Sequence, residues 1–167
     1  MINVSLCPAC IAQTLVLLLG ANGAPILIRD VLKERFNMPV DMGKRMQDGY
    51  PLFGRSKTWC GIIASLVITA LAALAMNLSL FTGVLFSLTA MSGDLLSSFI
   101  KRRLGYSESS RARPIDVIPE SFLPALALHL QIGLGWMDIL AVGVIFFLAQ
   151  FFLSPVLYRL RLKNRPY

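Results

Sequence analysis

Apolar residues in this chain come in long blocks instead of amphipathic stripes. The first block, IAQTLVLLLGANGAPILI from Ile11 to Ile28, holds no charged residue, although Asn22, Gly23 and Pro25 interrupt it. A second runs from about Trp59 to Met76 and a third from about Leu80 to Ile100, with only the NLS turn between them. A fourth, SFLPALALHLQIGLG, is short and loosely apolar; the fifth, Trp136 to Leu157, is the most hydrophobic. Uncharged apolar runs of about 18 residues or more read as membrane-crossing helices. The pattern predicts an all-α integral membrane protein with five transmembrane helices, the second and third forming a tight hairpin.

Charge placement orients these spans. Of the sixteen Lys and Arg residues, seven lie between Arg29 and Lys57, five between Lys101 and Arg113, and four between Arg159 and Arg165. The N-terminal stretch, the NLS turn and the turn before Trp136 carry none. Basic residues stay on the cytoplasmic side, so the count predicts an outer N-terminus, two large cytoplasmic loops and a cytoplasmic C-terminus. It also requires the weak fourth span, without which the C-terminal cations would face outward. No basic leader or small-residue cleavage site marks the first block as a signal peptide.

Composition agrees. At 56% hydrophobic and 15% charged residues, the chain is far from a soluble domain, in which about a quarter of residues are charged. Its 167 residues suit a single membrane-embedded domain, 1–167. The net charge of +7 sits beside hydrophobic spans, which speaks for topology and against nucleic acid as a partner. Cys7 and Cys10 have CxxC spacing, but no second ligand pair follows, so a zinc site is not expected. On the outer side a disulfide between them is chemically allowed.

Polar chemistry therefore concentrates in two inner loops, 29–58 and 101–120. Gly49, Gly54 and Gly61 give the first loop turns and close backbone approach. Arg55 and Lys57 add positive charge there, a combination suited to a polyphosphate; basic topology determinants touching anionic lipid would look the same. Asp94 stands inside the third apolar block, and an ionisable group at that depth marks a functional site unless Lys101 or Arg102 neutralises it. Asp94, Ser98 and Lys101 share one helix face. A carboxylate beneath cations can hold Mg²⁺ under a triphosphate, and Asp116, if brought near, could supply further oxygens. Asp116 also suits a turn or helix cap. The single histidine, His129, is expected to hydrogen-bond a neighbouring helix, and Asp138 to sit at the outer interface.

GRSKTWCG, GDLLSSFIKRRLG and PIDVIPESFLP, in that order, resemble the CDP-archaeol synthase family, membrane cytidylyltransferases related to the phosphatidate cytidylyltransferases. The resemblance implies that a phosphate-headed membrane lipid attacks the α-phosphorus of CTP, giving a CDP-lipid and pyrophosphate. It implies Asp94 and Asp116 as Mg²⁺ ligands, with Glu120 standing in where the wider pattern has a second aspartate. Lys57, Arg55, Lys101 and Arg102 would bind triphosphate or lipid phosphate, and Asp48 and Gly54 would belong to the nucleotide-side loop. The active site would lie on the cytoplasmic side of the cell membrane, in a chain small enough to work as a homodimer. The competing reading is a small transporter or channel for an anionic solute, with Asp94 and His129 lining its path.

Overall fold

The computed structural model describes residues 6–32, 38–108, 110 and 112–159. Among these residues six helices follow one another: α1 Pro8–Leu32, α2 Trp59–Ala75, α3 Leu80–Arg103, α4 Arg113–Ala127, α5 His129–Ile132 and α6 Trp136–Arg159. Among the described residues the only sheet-like pairings are two isolated bridges, Pro39 with Thr58 and Arg45 with Pro51. The C-terminal cations lie outside the residues whose side chains are described, so their part of the charge count has no structural counterpart here.

The α2–α3 hairpin forms because each of its ends is capped by its own residues. Thr58 accepts the Gly61 N–H at the start of α2, and Ser79 accepts the Thr82 N–H at the start of α3, satisfying donors a helix leaves orphaned. Between them Asn77 takes a left-handed conformation, φ 59°, which asparagine tolerates, and the Leu78 N–H closes the turn on the Ala73 carbonyl. Gly83 lets the arms touch, since a Cβ there would lie 2.7 Å from that of Ala73. Buried Ser65 and Ser87 share a hydroxyl hydrogen bond across the same seam, 2.7 Å, an interhelical polar contact suited to lipid surroundings.

Against this hairpin pack α1 and α4, and α6 in turn packs on α4 and α1. Their shared core contains Leu17, Leu18, Phe86, Leu128, Val142 and Phe146. The opposite faces expose large apolar residues, among them Leu19, Ile63, Leu71, Phe81, Leu88 and Val144, the surface of a protein solvated by hydrocarbon. Among the residues whose side chains are described, two helices, α1 and α3, are long and apolar enough to cross a membrane, and Trp59–Ala75 and Trp136–Phe152 are shorter apolar stretches.

Two features differ from the sequence reading. The second inner loop is shorter than expected, because α4 already begins at Arg113. Pro114 suits the first turn of a helix, where its missing N–H costs nothing, and Asp116 accepts the Ala112 N–H at 3.2 Å. Asp116 and Glu120 are thus helical residues one turn apart. At the other end, Cys7 and Cys10 are joined in a disulfide. Asp138 is buried, not interfacial, and accepts the N–H groups of Cys7 (2.9 Å) and Gly135 (2.8 Å), fastening the start of α1 to the start of α6.

Candidate active site

The close approach of α3 and α4 creates the site. Gly93 makes it possible: a Cβ at that position would lie 2.3 Å from the Pro119 carbonyl oxygen and 2.9 Å from the Glu120 nitrogen. The next residue, Asp94, therefore emerges where α4 presents Glu120 and, one turn earlier, Asp116. Pro119 and Pro124 lie inside α4 and donate no N–H, which frees the carbonyls of Ile115 and Glu120 from ordinary helical pairing.

Lysines close both aspartates. Lys57, the last loop residue before the Thr58 cap, sets its ammonium on both oxygens of Asp94, 2.6 and 2.5 Å away. Burial disfavours its charge, but Asp94 foremost, with Glu120 and Asp116 adding to the field, holds its pKa above the ordinary lysine value. Lys101, two turns along α3 from Asp94, pairs with Asp116 at 2.6 Å and donates to the Ser110 carbonyl at 3.1 Å. Glu120 is 6% exposed and accepts a long hydrogen bond from the Gln150 amide of α6, 3.4 Å. Lys101 and Arg102 are buried to 7% and 3% exposure, low values for cations, which stay inside only when paired. Arg102 donates to the Tyr106 carbonyl, while its Nε finds no partner among the described residues.

The first inner loop is folded around Asp41, a residue that sequence reasoning passed over. Its carboxylate, 4% exposed, accepts N–H groups from Gly43, Phe53 and Gly54 at 2.9–3.0 Å. Burial alone would raise its pKa; the donors from Gly54, Phe53 and Gly43 outweigh that and hold it below the ordinary aspartate value. Gly54 has φ 96°, a conformation natural to glycine. Arg103 then ties the loop to the end of α3. It pairs with Asp48, donates to the Pro51 carbonyl at 2.8 Å and lies 5.3 Å from the centre of the Phe99 ring.

Asp94, Lys57, Asp116, Lys101 and Glu120 thus meet in one electrostatic cluster, with Ser98 buried on the face of α3 between Asp94 and Lys101. Asp94 is paired as anticipated, but with Lys57 across the hairpin instead of Lys101 or Arg102. Arg55 is exposed, Asp48 is engaged by Arg103, and the Gly54 N–H is spent on Asp41, so these three shape the loop around the cluster. His129 meets the Leu126 carbonyl at 2.9 Å and stacks on Trp136, its partners local and unrelated to Asp94. Carboxylate oxygens are the donors a hard divalent cation takes, and Asp94, Asp116 and Glu120 fit one in kind. Among the described residues no three such side chains gather into a ready cage; Mg²⁺ needs none where phosphates complete its shell.

The arrangement has counterparts among known proteins. Residues 11–167 match the family model described as CarS-like, CDP-archaeol synthase. The CDP-archaeol synthase of Hyperthermus butylicus is 44% identical over 104 residues, 59% of each chain. That of Sulfurisphaera tokodaii is 31% identical over 89% of this chain and 90% of its own, and that of Saccharolobus solfataricus 35% over 77% and 81%. A solved intramembrane enzyme for archaeal membrane lipids biosynthesis superposes with a TM-score of 0.63 at 28% identity, covering 81% of this chain and 89% of that one.

Proposed function

The chain belongs to the CDP-archaeol synthase family, and from that premise we propose that this CTP-dependent lipid cytidylyltransferase works on an isoprenoid-ether lipid phosphate at the cytoplasmic face of the membrane. The lipid phosphate oxygen attacks the α-phosphorus of CTP. A new P–O–P link forms, the bond from the α-phosphorus to the bridging oxygen breaks, and pyrophosphate leaves with the electron pair. The lipid phosphate is already anionic near neutral pH, so no general base is asked of the protein. What the reaction demands is alignment of two anions and neutralisation of the charge that gathers between them.

One observation carries this reading: two lysines sit on two aspartates at the contact of α3 and α4. Each ammonium is oriented by its carboxylate before substrate arrives, and can exchange a carboxylate oxygen for a phosphate oxygen at little reorganisation cost. Asp94 and Asp116, with Glu120 close by, would hold Mg²⁺ together with the phosphates. Bound there, the ion would neutralise charge on the phosphate oxygens. Arg102, whose Nε has no partner among the described residues, is suited to a further phosphate oxygen. Ser98 would line the same face of α3, while Asp48, Gly54 and Arg55 would act through the shape and charge of the nucleotide-side loop.

The charge count supports five spans with an outer N-terminus, a multi-pass topology in which the whole chain is one catalytic domain. The lipid tails stay in the bilayer while CTP enters from the loop side. The transporter alternative lacks a link between Asp94 and His129 and is not favoured. The test is CDP-lipid formation by the purified protein from labelled CTP, with an ether-lipid phosphate, diacyl phosphatidic acid or no lipid. Product is expected only with a lipid phosphate and a divalent cation, and more with the ether lipid. No product with any lipid phosphate would overturn the reading.

A further inference from the structure

Asn22 interrupts the first apolar block, and the cluster just described leaves it without a role. Its carboxamide nitrogen and oxygen are both buried, and neither has a hydrogen-bond partner among the described residues. An unpaired carboxamide is costly in any protein interior, and more so where no bulk water reaches. A membrane helix that retains one has a use for it.

Neighbouring contacts fix where Asn22 lies. Ala21 packs on Ala90 and Met91 of α3, about one turn membrane-ward of Asp94. Three residues beyond Asn22, Pro25 lies against the seat of Gly61, where a Cβ would be 3.1 Å from the Pro25 Cβ and 3.2 Å from the Thr58 hydroxyl, next to Lys57. Asn22 is bracketed between these contacts, on the bilayer side of the Lys57–Asp94 pair. Beside it Gly23 has nothing within 4 Å of where a Cβ would stand, leaving an opening on that side of α1.

We propose that Asn22 is a specificity-determining contact for the lipid substrate: its amide N–H donates to a glycerol linkage oxygen, ether or ester, of the lipid whose phosphate lies at Asp94. This rests on the cytidylyltransferase reading and adds the part of the lipid that is recognised. A headgroup phosphate held at Lys57 and Asp94 sends its glycerol toward the bilayer centre, and one helical turn, about 5.4 Å, is within that reach. CTP enters from the opposite, loop side. Linkage oxygens accept hydrogen bonds and cannot donate them, so Nδ2 is the group used.

The test compares wild type with Asn22→Leu, nearly isosteric and content in a bilayer, on two acceptors. One is a dialkylglycerol phosphate; the other is a single-chain alkyl phosphate with no glycerol, read as a substrate or as an inhibitor competitive with the lipid. The variant is expected to raise KM for the glycerol lipid about tenfold, the effect of one lost hydrogen bond. KM for CTP and the response to alkyl phosphate stay within twofold, and the thermal midpoint is unchanged or higher, because an unpaired amide has been removed. Equal loss on both acceptors, a raised KM for CTP, no kinetic change, or a lowered midpoint would each overturn the proposal. Failure of wild type to use any lipid phosphate would instead strike the cytidylyltransferase reading.

Discussion

Gly93→Ala is the smallest change that tests how α3 and α4 assemble the site. The added methyl would stand 2.3 Å from the Pro119 carbonyl oxygen, 2.6 Å from its carbon and 2.9 Å from the Glu120 nitrogen, all backbone atoms. No rotamer change relieves such a clash, so the helices must part by about 1 Å to regain van der Waals contact. Overpacking of this kind costs about 1–3 kcal/mol, and backbone on both sides argues for the upper end. At about 3 kcal/mol the thermal midpoint should fall by about 10 °C for a chain this size. The functional loss is larger, because Asp94 follows Gly93 directly and a 1 Å misplacement at a reacting centre costs about 100-fold in rate. Gly83→Ala is the control: its Cβ meets Ala73, Ala70 and the Thr69 carbonyl within 3.0 Å, on the half of α3 remote from Asp94. CDP-lipid formation from labelled CTP, measured well below both midpoints beside thermal unfolding in detergent, separates the two. Gly83→Ala should lose stability and keep turnover; Gly93→Ala should lose both. A Gly93→Ala enzyme within twofold of wild-type turnover would refute the reasoning.

The Lys101–Asp116 pair should behave as a unit. A double-mutant cycle of Lys101→Met and Asp116→Asn, read by thermal stability, is expected to give a coupling of about 0.5–3 kcal/mol, and additive effects would show the pair to be idle. Asp41→Asn should loosen the first inner loop, because both its oxygens accept N–H groups, one from Gly43 and the other from Phe53 and Gly54, and an amide keeps only one acceptor oxygen. Limited proteolysis between residues 41 and 57 should accelerate in that variant while α2 and α3 stay intact. The carboxylate also sets a pH dependence. Its pKa in the folded loop is depressed below the ordinary 3.8, so its contribution is present above that value and is lost as pH falls through the depressed one. Wild type should show an acid limb there that Asp41→Asn lacks.

Much of the architecture was legible because membrane spans obey a one-dimensional rule. The hairpin of α2 and α3, the bounds of α2 and α6, and the singular position of Asp94 followed from apolar runs and charge placement. The start of α4 did not, since RPIDVIPE reads as a polar loop until Asp116 is seen capping its own helix. Lys57 was recognisable as a phosphate-binding candidate, yet its pairing with Asp94 is set by the α2–α3 turn and the folded loop, neither of which local spacing encodes. Asp41 escaped notice because aspartate in a loop is unremarkable by composition; only its three convergent N–H donors distinguish it. Gln150 joins Glu120 across α4 and α6, a long-range meeting no periodicity announces.

On the proposed reading Asp94, seated on Lys57 at the α3–α4 contact, makes the charge arrangement in which two phosphates can meet. Turnover of Asp94→Asn measures it most directly, with labelled CTP, an ether-lipid phosphate and Mg²⁺ at saturating concentrations. Turnover should fall by at least about 100-fold, the scale for removing one preorganised electrostatic group, in a protein that still inserts and unfolds cooperatively. Wild-type turnover in that variant would contradict it.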